Sequence, residues 1–142
     1  MISELTECEF QKKYNEYLYS MQTALKEEEQ VELPLLHDFA PGVYLRRILM
    51  PAGTFVIGKT HRTEHFNIVL SGRANVMING VLKLIQAPEV FISRAGDKKV
   101  LFILDEMIWA TVHQTTETNL DEIKKQSVYS ESEEKTILLG VA

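Results

Sequence analysis

The stretch from 58 to 72, GKTHRTEHFNIVLSG, carries two of the chain's four histidines, His61 and His65, four residues apart. Imidazole ligates transition metals and also gives and takes protons near neutral pH. Spacing decides whether the pair can act together. In an extended strand, residues four apart face the same side but lie about 13 Å from each other, too far to share one ion. A tight turn over Arg62, Thr63 and Glu64 would instead let His61 end one strand and His65 begin its antiparallel neighbour, with Cβ atoms about 5 Å apart. Other chemistry has little support. The chain contains no G-x-S-x-G, no P-loop and no dinucleotide fingerprint. Cys8 lies far in sequence from every histidine, which argues against a cysteine–histidine nucleophile.

The elements that must position these residues are mostly short strands. VYLRRILM (43–50), TFVIGKTH, HFNIVLSG, RANVMI, VLKLIQ, EVFIS, VLFILD and MIWATVHQ follow one another at even spacing with turn residues between them. Asn79-Gly80, between alternating segments, is a strong two-residue hairpin signal. So many strands with almost no helix between them predict an antiparallel sandwich or small barrel, a mainly β fold. Helices are expected only at the two ends. Thr6-x-x-Glu9 fits a capping box, and Phe10, Tyr14, Tyr17 or Leu18, Met21 and Leu25 form an apolar stripe behind it. Pro34 and Pro41 keep the following connection extended. Asn119 is a second N-cap with Glu122 at N3. The segment from Ser130 is acidic and then apolar, either a loose tail or a piece that lies against a neighbour. The divisions expected are a helical extension over 1–34, a β domain over 35–117, and a short helix and tail over 118–142.

Composition narrows the partners. At 142 residues with net charge −5, the chain has the size of one domain and no general attraction for phosphate backbones. The basic pairs Arg46-Arg47, Lys98-Lys99 and Lys124-Lys125 are too scattered for a nucleic-acid or membrane patch. One cysteine excludes an intrachain disulfide framework and fits a reducing cytoplasm. The N-terminal MISELTECEFQKKYNEY has neither a cationic start nor an apolar core, so no secretory signal is expected, and no apolar run is long enough for a spanning helix.

The order of strand, PAG turn (51–53), histidine-bearing strand, Gly72, Asn79-Gly80 and a second half with AP and AG turns resembles the cupin superfamily, a small antiparallel jelly-roll barrel. The family's first motif, G-x5-H-x-H-x3-4-E-x6-G, laid on this chain makes Gly72 its closing glycine. It then places Lys59, His61 and His65 where the family has two histidines and a glutamate. The second motif falls on Arg94 to Lys99, with Lys99 in the place of its histidine. The resemblance thus implies the fold, and it implies the turn between His61 and His65. It also implies a ligand set in which two of four positions are lysines, which do not ligate metals at neutral pH. The phrases FAPGVYLR, MPAGTFVIGKTHRTEHFNI, APEVFISRAGDKK and MIWATVHQTTETNLDEI further resemble small cupin-like proteins encoded by tailed bacteriophages, and in that pattern His113 recurs with the other two histidines.

These likenesses imply a barrel mouth lined by His61, His65 and His113, with Trp109, Thr111 and His113 on one strand face. Three neutral imidazoles suit a divalent metal such as Zn, Fe, Ni or Mn. The alternative is three histidines hydrogen-bonded in a metal-free pocket. Lys59 and Lys99 are candidates for an anionic ligand, Asn67 for orienting a histidine, and Glu64 for a carboxylate ligand. Tyr44 and Arg46 alternate on the first strand and face either the pocket or a dimer interface. His37 reads as a surface or turn histidine. Two functions follow. One is a homo-oligomeric pocket protein, dimer favoured, that binds a metal and a small polar or anionic molecule. The other is a non-catalytic binding or virion-associated module that uses the barrel as a scaffold, with phage particle proteins as partners. For either, the host cytoplasm is the expected location and the virion the alternative.

Overall fold

The computed structural model describes residues 6–28, 30 and 32–140. They form three helices and seven strands: α1 (Glu7–Lys26), β1 (Leu35–Ala40), β2 (Val43–Met50), β3 (Phe55–Ile57), β4 (His65–Ile78), β5 (Val81–Gln86), β6 (Glu89–Ser93), β7 (Lys99–Gln114), α2 (Leu120–Ser127) and α3 (Glu131–Leu139). The chain divides into two compact units, 32–129 and the pair of terminal segments 1–31 and 130–142.

The larger unit is an antiparallel jelly roll organised by its two longest strands. β4 and β7 pair along nearly their whole length. Toward His65, β4 takes β6 on its other edge, and toward Ile78 it takes β5. The second half of β7 pairs with β2, which pairs with β1, while its first half pairs with β3. Each long strand therefore belongs to both halves of the roll, and the bend between the halves falls where the β4–β7 register shifts, between Val69 and Ala74. Inward positions on β4 are His65, Asn67 and Val69 before the shift and Ala74 and Val76 after it, so the side-chain parity switches there. Met50, Val69, Ala74, Val76, Ile85, Leu101, Ile103, Met107 and Trp109 close one core between the halves.

Gly72 is what the irregularity requires. Its φ of +85° is left-handed, and a Cβ at this position would lie 2.3 Å from the Glu106 carbonyl oxygen and 2.7 Å from Met107 Cα. The expected Asn79-Gly80 hairpin joins β4 to β5, with φ +50° and +83° at its two residues, the sign that a primed two-residue turn needs.

The strands differ from the sequence reading in three ways. HFNIVLSG and RANVMI are one strand, and so are VLFILD and MIWATVHQ, because bulges absorb the breaks. The extended connection between Pro34 and Pro41 is itself a strand, β1, folded back on β2 through Pro41-Gly42. TFVIGKTH forms a strand only over Phe55–Ile57, and its His61 makes a single further bridge to Val128.

In the smaller unit, Thr6 caps α1 through the expected reciprocal bonds with Glu9, 3.0 and 3.1 Å long. Of the apolar stripe Leu18 is fully buried, while Phe10 and Tyr17 are exposed. The C-terminal segment is a helix, α3, whose Ser130 and Glu133 form a second capping box. α3 joins α1 through Gln22 Nε2 donating to Glu134 Oε1 at 2.9 Å and a Lys26–Glu131 ion pair.

A candidate ligand site at the mouth of the roll

His65 opens β4, and His113 ends the inward face of β7, two residues beyond Thr111. The pairing of Phe66 with Val112 makes His65 and His113 adjacent across the two strands. Their rings stack with centroids 4.5 Å apart.

His61 reaches them by a different route from the hairpin expected. It is not the end of a strand paired with β4. The loop 58–64 is tied instead to the β6–β7 turn and to the segment after α2. His61 N–H donates to the Asp97 carbonyl (3.0 Å) and its own carbonyl accepts from Gly96 (2.8 Å), while Arg62 and Thr60 bond Ser127 and Tyr129. The physical reason is that T-H-R-T-E has no glycine or asparagine for a two-residue turn, so its backbone groups find partners elsewhere. The ring still arrives 4.4 Å from that of His65. Tyr44 stacks on His113 at 5.8 Å, and its hydroxyl meets His37 Nδ1 at 2.5 Å, so the half-buried His37 joins the same chain of rings.

Each imidazole has one nitrogen engaged and one idle. His65 Nδ1 donates to the Thr63 carbonyl at 3.2 Å, His113 Nε2 meets Thr111 Oγ1 at 3.0 Å, and His61 Nε2 lies 3.4 Å from Lys99 Nζ. His65 Nε2, His113 Nδ1 and His61 Nδ1 are buried with no partner. Burial, with the positive charge of Lys99 next, pushes the His61 pKa down to about 2. Burial foremost and then neighbouring His65, Arg46 and Lys99 bring His113 to about 4. Burial also lowers His65, against the hydrogen bond to Thr63 that raises it. All three are therefore neutral rings at pH 7. Lys99, 6 % exposed, is lowered to about 8 by burial, with Asp97 opposing.

The other residues singled out in the sequence separate clearly. Lys99 enters the cluster, but Lys59 is exposed. Glu64 turns outward and pairs with Arg94 at 3.1 Å, both side chains well exposed, so it brings no carboxylate to the histidines. Asn67 lies beneath them, fully buried, and its amide is used in the floor: Trp109 Nε1 donates to its Oδ1 at 3.0 Å, and its Nδ2 donates to Ser93 Oγ at 2.7 Å. No polar atom of Asn67 is left to orient a histidine. Arg46, Tyr44, Thr111 and Ser93 complete the surroundings. Tyr44 and Arg46, expected to face either the pocket or a dimer interface, both lie on the inward face of β2 that ends at Met50.

Three imidazoles on one ion, at metal–nitrogen distances of about 2.1 Å, put their ring centroids about 4.5–5 Å apart. The two centroid distances here are close to that, and His65 and His113 each keep one nitrogen buried and idle while the other is held by Thr63 or Thr111, as metal-bound imidazoles are. His61, whose Nε2 faces the Lys99 ammonium, would coordinate through Nδ1 only once its proton left that nitrogen. The donors are nonetheless not arranged as a finished cage: among the described residues no group of three or more His, Cys, Asp or Glu is set to hold an ion as it stands. The donor chemistry fits, and loading would require the rings to turn.

The depressed pKa values set a pH dependence. An unfolded histidine binds a proton near pH 6.5, whereas the folded rings resist it, so the unfolded state holds more protons below that pH. Stability contributed this way is complete above about pH 6.5 and falls as pH drops toward 4. The metal-free protein should lose thermal midpoint between pH 7 and 5, and His61→Gln with His113→Gln should flatten that loss. A double variant with the same slope as the wild type would show that other groups govern it.

No family model matches the sequence, and no curated protein is significantly similar to it. Solved structures do resemble it. The DMSP lyase DddQ of Ruegeria pomeroyi DSS-3 superposes with a TM-score of 0.52 at 12 % identity, over 61 % of this chain and 49 % of that one. Salicylate 1,2-dioxygenase of Pseudoaminobacter salicylatoxidans, solved with gentisate, gives 0.56 at 12 % identity over 81 % and 34 %. A predicted oxalate decarboxylase of Thermotoga maritima gives 0.50 at 16 % identity over 61 % and 84 %. The chain thus spans about half the length of the first of these and about a third of the second. At such identities the likeness concerns architecture alone. Among the described residues no helix is long and apolar enough to cross a membrane. The strand order, the bend at Gly72 and these superpositions together make the fold that of the cupin jelly roll.

Proposed function

We propose that His61, His65 and His113 form a ligand site that takes a divalent metal (Zn, Fe, Ni or Mn) and, beside it, a small polar or anionic molecule, in a cupin of the phage-encoded type. One observation carries this reading: three adjacent rings each keep one nitrogen engaged and one buried without a partner. Buried polar atoms are seldom left unpaired unless something fills the place. The Thr63 carbonyl and the Thr111 hydroxyl fix two of the rings, and the Asn67–Trp109–Ser93 network forms a rigid floor below them. A bound ion would supply Lewis acidity toward a coordinated ligand or an acidified water. Burial keeps His61 and His113 neutral well below pH 7 and lowers His65 as well, so no imidazolium charge stands in the way of an ion. Metal content of the purified protein, beside His65→Ala, tests the proposal.

A second reading, an assembly module, has an observation of its own. Phe66, Leu70, Val90 and Ile92 are large, exposed and on the outward side of paired strands β4 and β6. Adjacent apolar side chains of this kind suit a subunit contact, with another copy or with a phage particle protein. In that reading the barrel is a scaffold. Changes at Phe66 and Ile92 would alter oligomeric state, whereas changes at the histidines would leave it as it was.

A further inference from the structure

We infer that the small molecule taken by the histidine cluster is an oxyanion, a carboxylate or a phosphate-type group, held by Lys99 and Arg46; this deepens the ligand-site reading and rests on it. Lys99 is buried to all but 6 % of its surface. Its ammonium has a ring nitrogen of His61 at 3.4 Å, and among the described residues no carboxylate forms an ion pair with it. Asp97 is the acid whose charge acts on Lys99, but its two oxygens already accept from Asn79 Nδ2 and from the Arg94 N–H, each at 2.9 Å. A buried ammonium without a counter-ion is costly, and a ligand that brings negative charge removes the cost.

Arg46 adds a second cation of the same kind. It shares the inward face of β2 with Tyr44 and Ile48 and lies opposite Thr111 of β7. Its neighbour Arg47 faces the other way and is explained there, since Asp38 accepts from its guanidinium at 2.6 Å. Arg46 has no such partner among the described residues. Its charge nevertheless acts on both His61 and His113, which puts it at the same cluster as Lys99.

The rings point the same way. An ammonium can only donate, so a charged Lys99 makes His61 Nε2 the acceptor and leaves that ring's proton on Nδ1, where it is buried and meets no acceptor. Two cations, a stranded N–H and, among the described residues, no carboxylate paired with either cation make a site complementary to a small anion. Nothing in the metal reading explains why Lys99 is there, since its charge opposes a cation at His61.

The test uses the full chain, freed of metal by chelation and dialysis, titrated calorimetrically at low salt with malonate, with inorganic phosphate, and with malonamide as the neutral control. Malonate or phosphate should bind, malonamide should not, and whichever anion binds names the oxyanion class. Lys99→Met and Arg46→Met should each weaken the anion at least tenfold. Zinc uptake by Lys99→Met should match or exceed that of the wild type. If Lys99→Met does not fold, Lys99→Gln and Arg46→Met carry the comparison. Failure of both anions to bind, or affinities unchanged in both variants, would overturn the inference. A wild type that binds anion but no zinc would sink the metal reading and leave this one standing.

Discussion

Gly72→Ala should destabilise the β domain by about 2–4 kcal/mol, the sum of a strained left-handed residue and a steric intrusion. The intrusion is specific: the new methyl would press on the Glu106 carbonyl and on Met107 Cα, both backbone atoms of β7 that cannot rotate away. The strands would have to separate at the point where β4 passes from one half of the roll to the other. For a domain of this size the change reads as about 10–20 °C in Tm. Gly42→Ala gives the control, because its φ is also left-handed at +76° while nothing lies within 4 Å of its added carbon. Equal losses at the two positions would mean that backbone strain, and not the close approach to β7, sets the cost.

The second large effect lies under the histidines. Asn67→Leu keeps the branched outline of the side chain, with some added bulk, and removes both of its roles, leaving the Trp109 indole N–H and the Ser93 hydroxyl buried without partners. Each stranded group costs about 1–3 kcal/mol, so a loss of about 2–5 kcal/mol is expected. A double-mutant cycle with Trp109→Phe should show coupling of about 1 kcal/mol or more, since the second change removes the donor that the first left unpaired. Additive losses would mean that the Asn67–Trp109 bond contributes nothing of its own. The functional consequence is mechanical. Val69 and Asn67 continue the inward face that begins at His65, so loosening the floor also loosens the rings.

The fold was legible because its information is local. Alternation gives β2, β5 and β6 their limits, and Asn79-Gly80 marks the hairpin. What sequence did not reveal depends on distant partners. The bulges that fuse β4 and β7 into long strands are absorbed between two strands, and neither strand alone records them. Strand β1, flanked by prolines, reads as an extended connection until β2 supplies its ladder. Helix α3 is a different case. Its Ser130-x-x-Glu133 box stands in the sequence as plainly as that of Thr6 and Glu9, but the acidic run around it obscured the pattern.

At the site, three histidines could be named from their types and the family likeness, yet their placement could not. His61 comes in on a loop clamped by the 94–97 turn and by residues 127–129, contacts that span more than thirty residues of sequence. Of two lysines at family positions, Lys99 is buried beside His61 and Lys59 is exposed. Nothing in the residue types distinguishes them. Asn67 occupies an inward position, as alternation requires, but only the opposite strands show that Trp109 and Ser93 use its amide.

The most direct measurement is the metal content of protein purified without a histidine tag or chelator, before and after incubation with Zn²⁺, Fe²⁺, Ni²⁺ and Mn²⁺, with His65→Ala carried in parallel. His65 is the variant to choose because its ring lies between the other two, 4.4 Å from one and 4.5 Å from the other. Metal near one equivalent in the wild type, falling at least tenfold in His65→Ala while the variant still melts cooperatively, is the expected result. A wild type that stays empty with every ion, or a His65→Ala variant that keeps its metal, would contradict a metal site at these histidines.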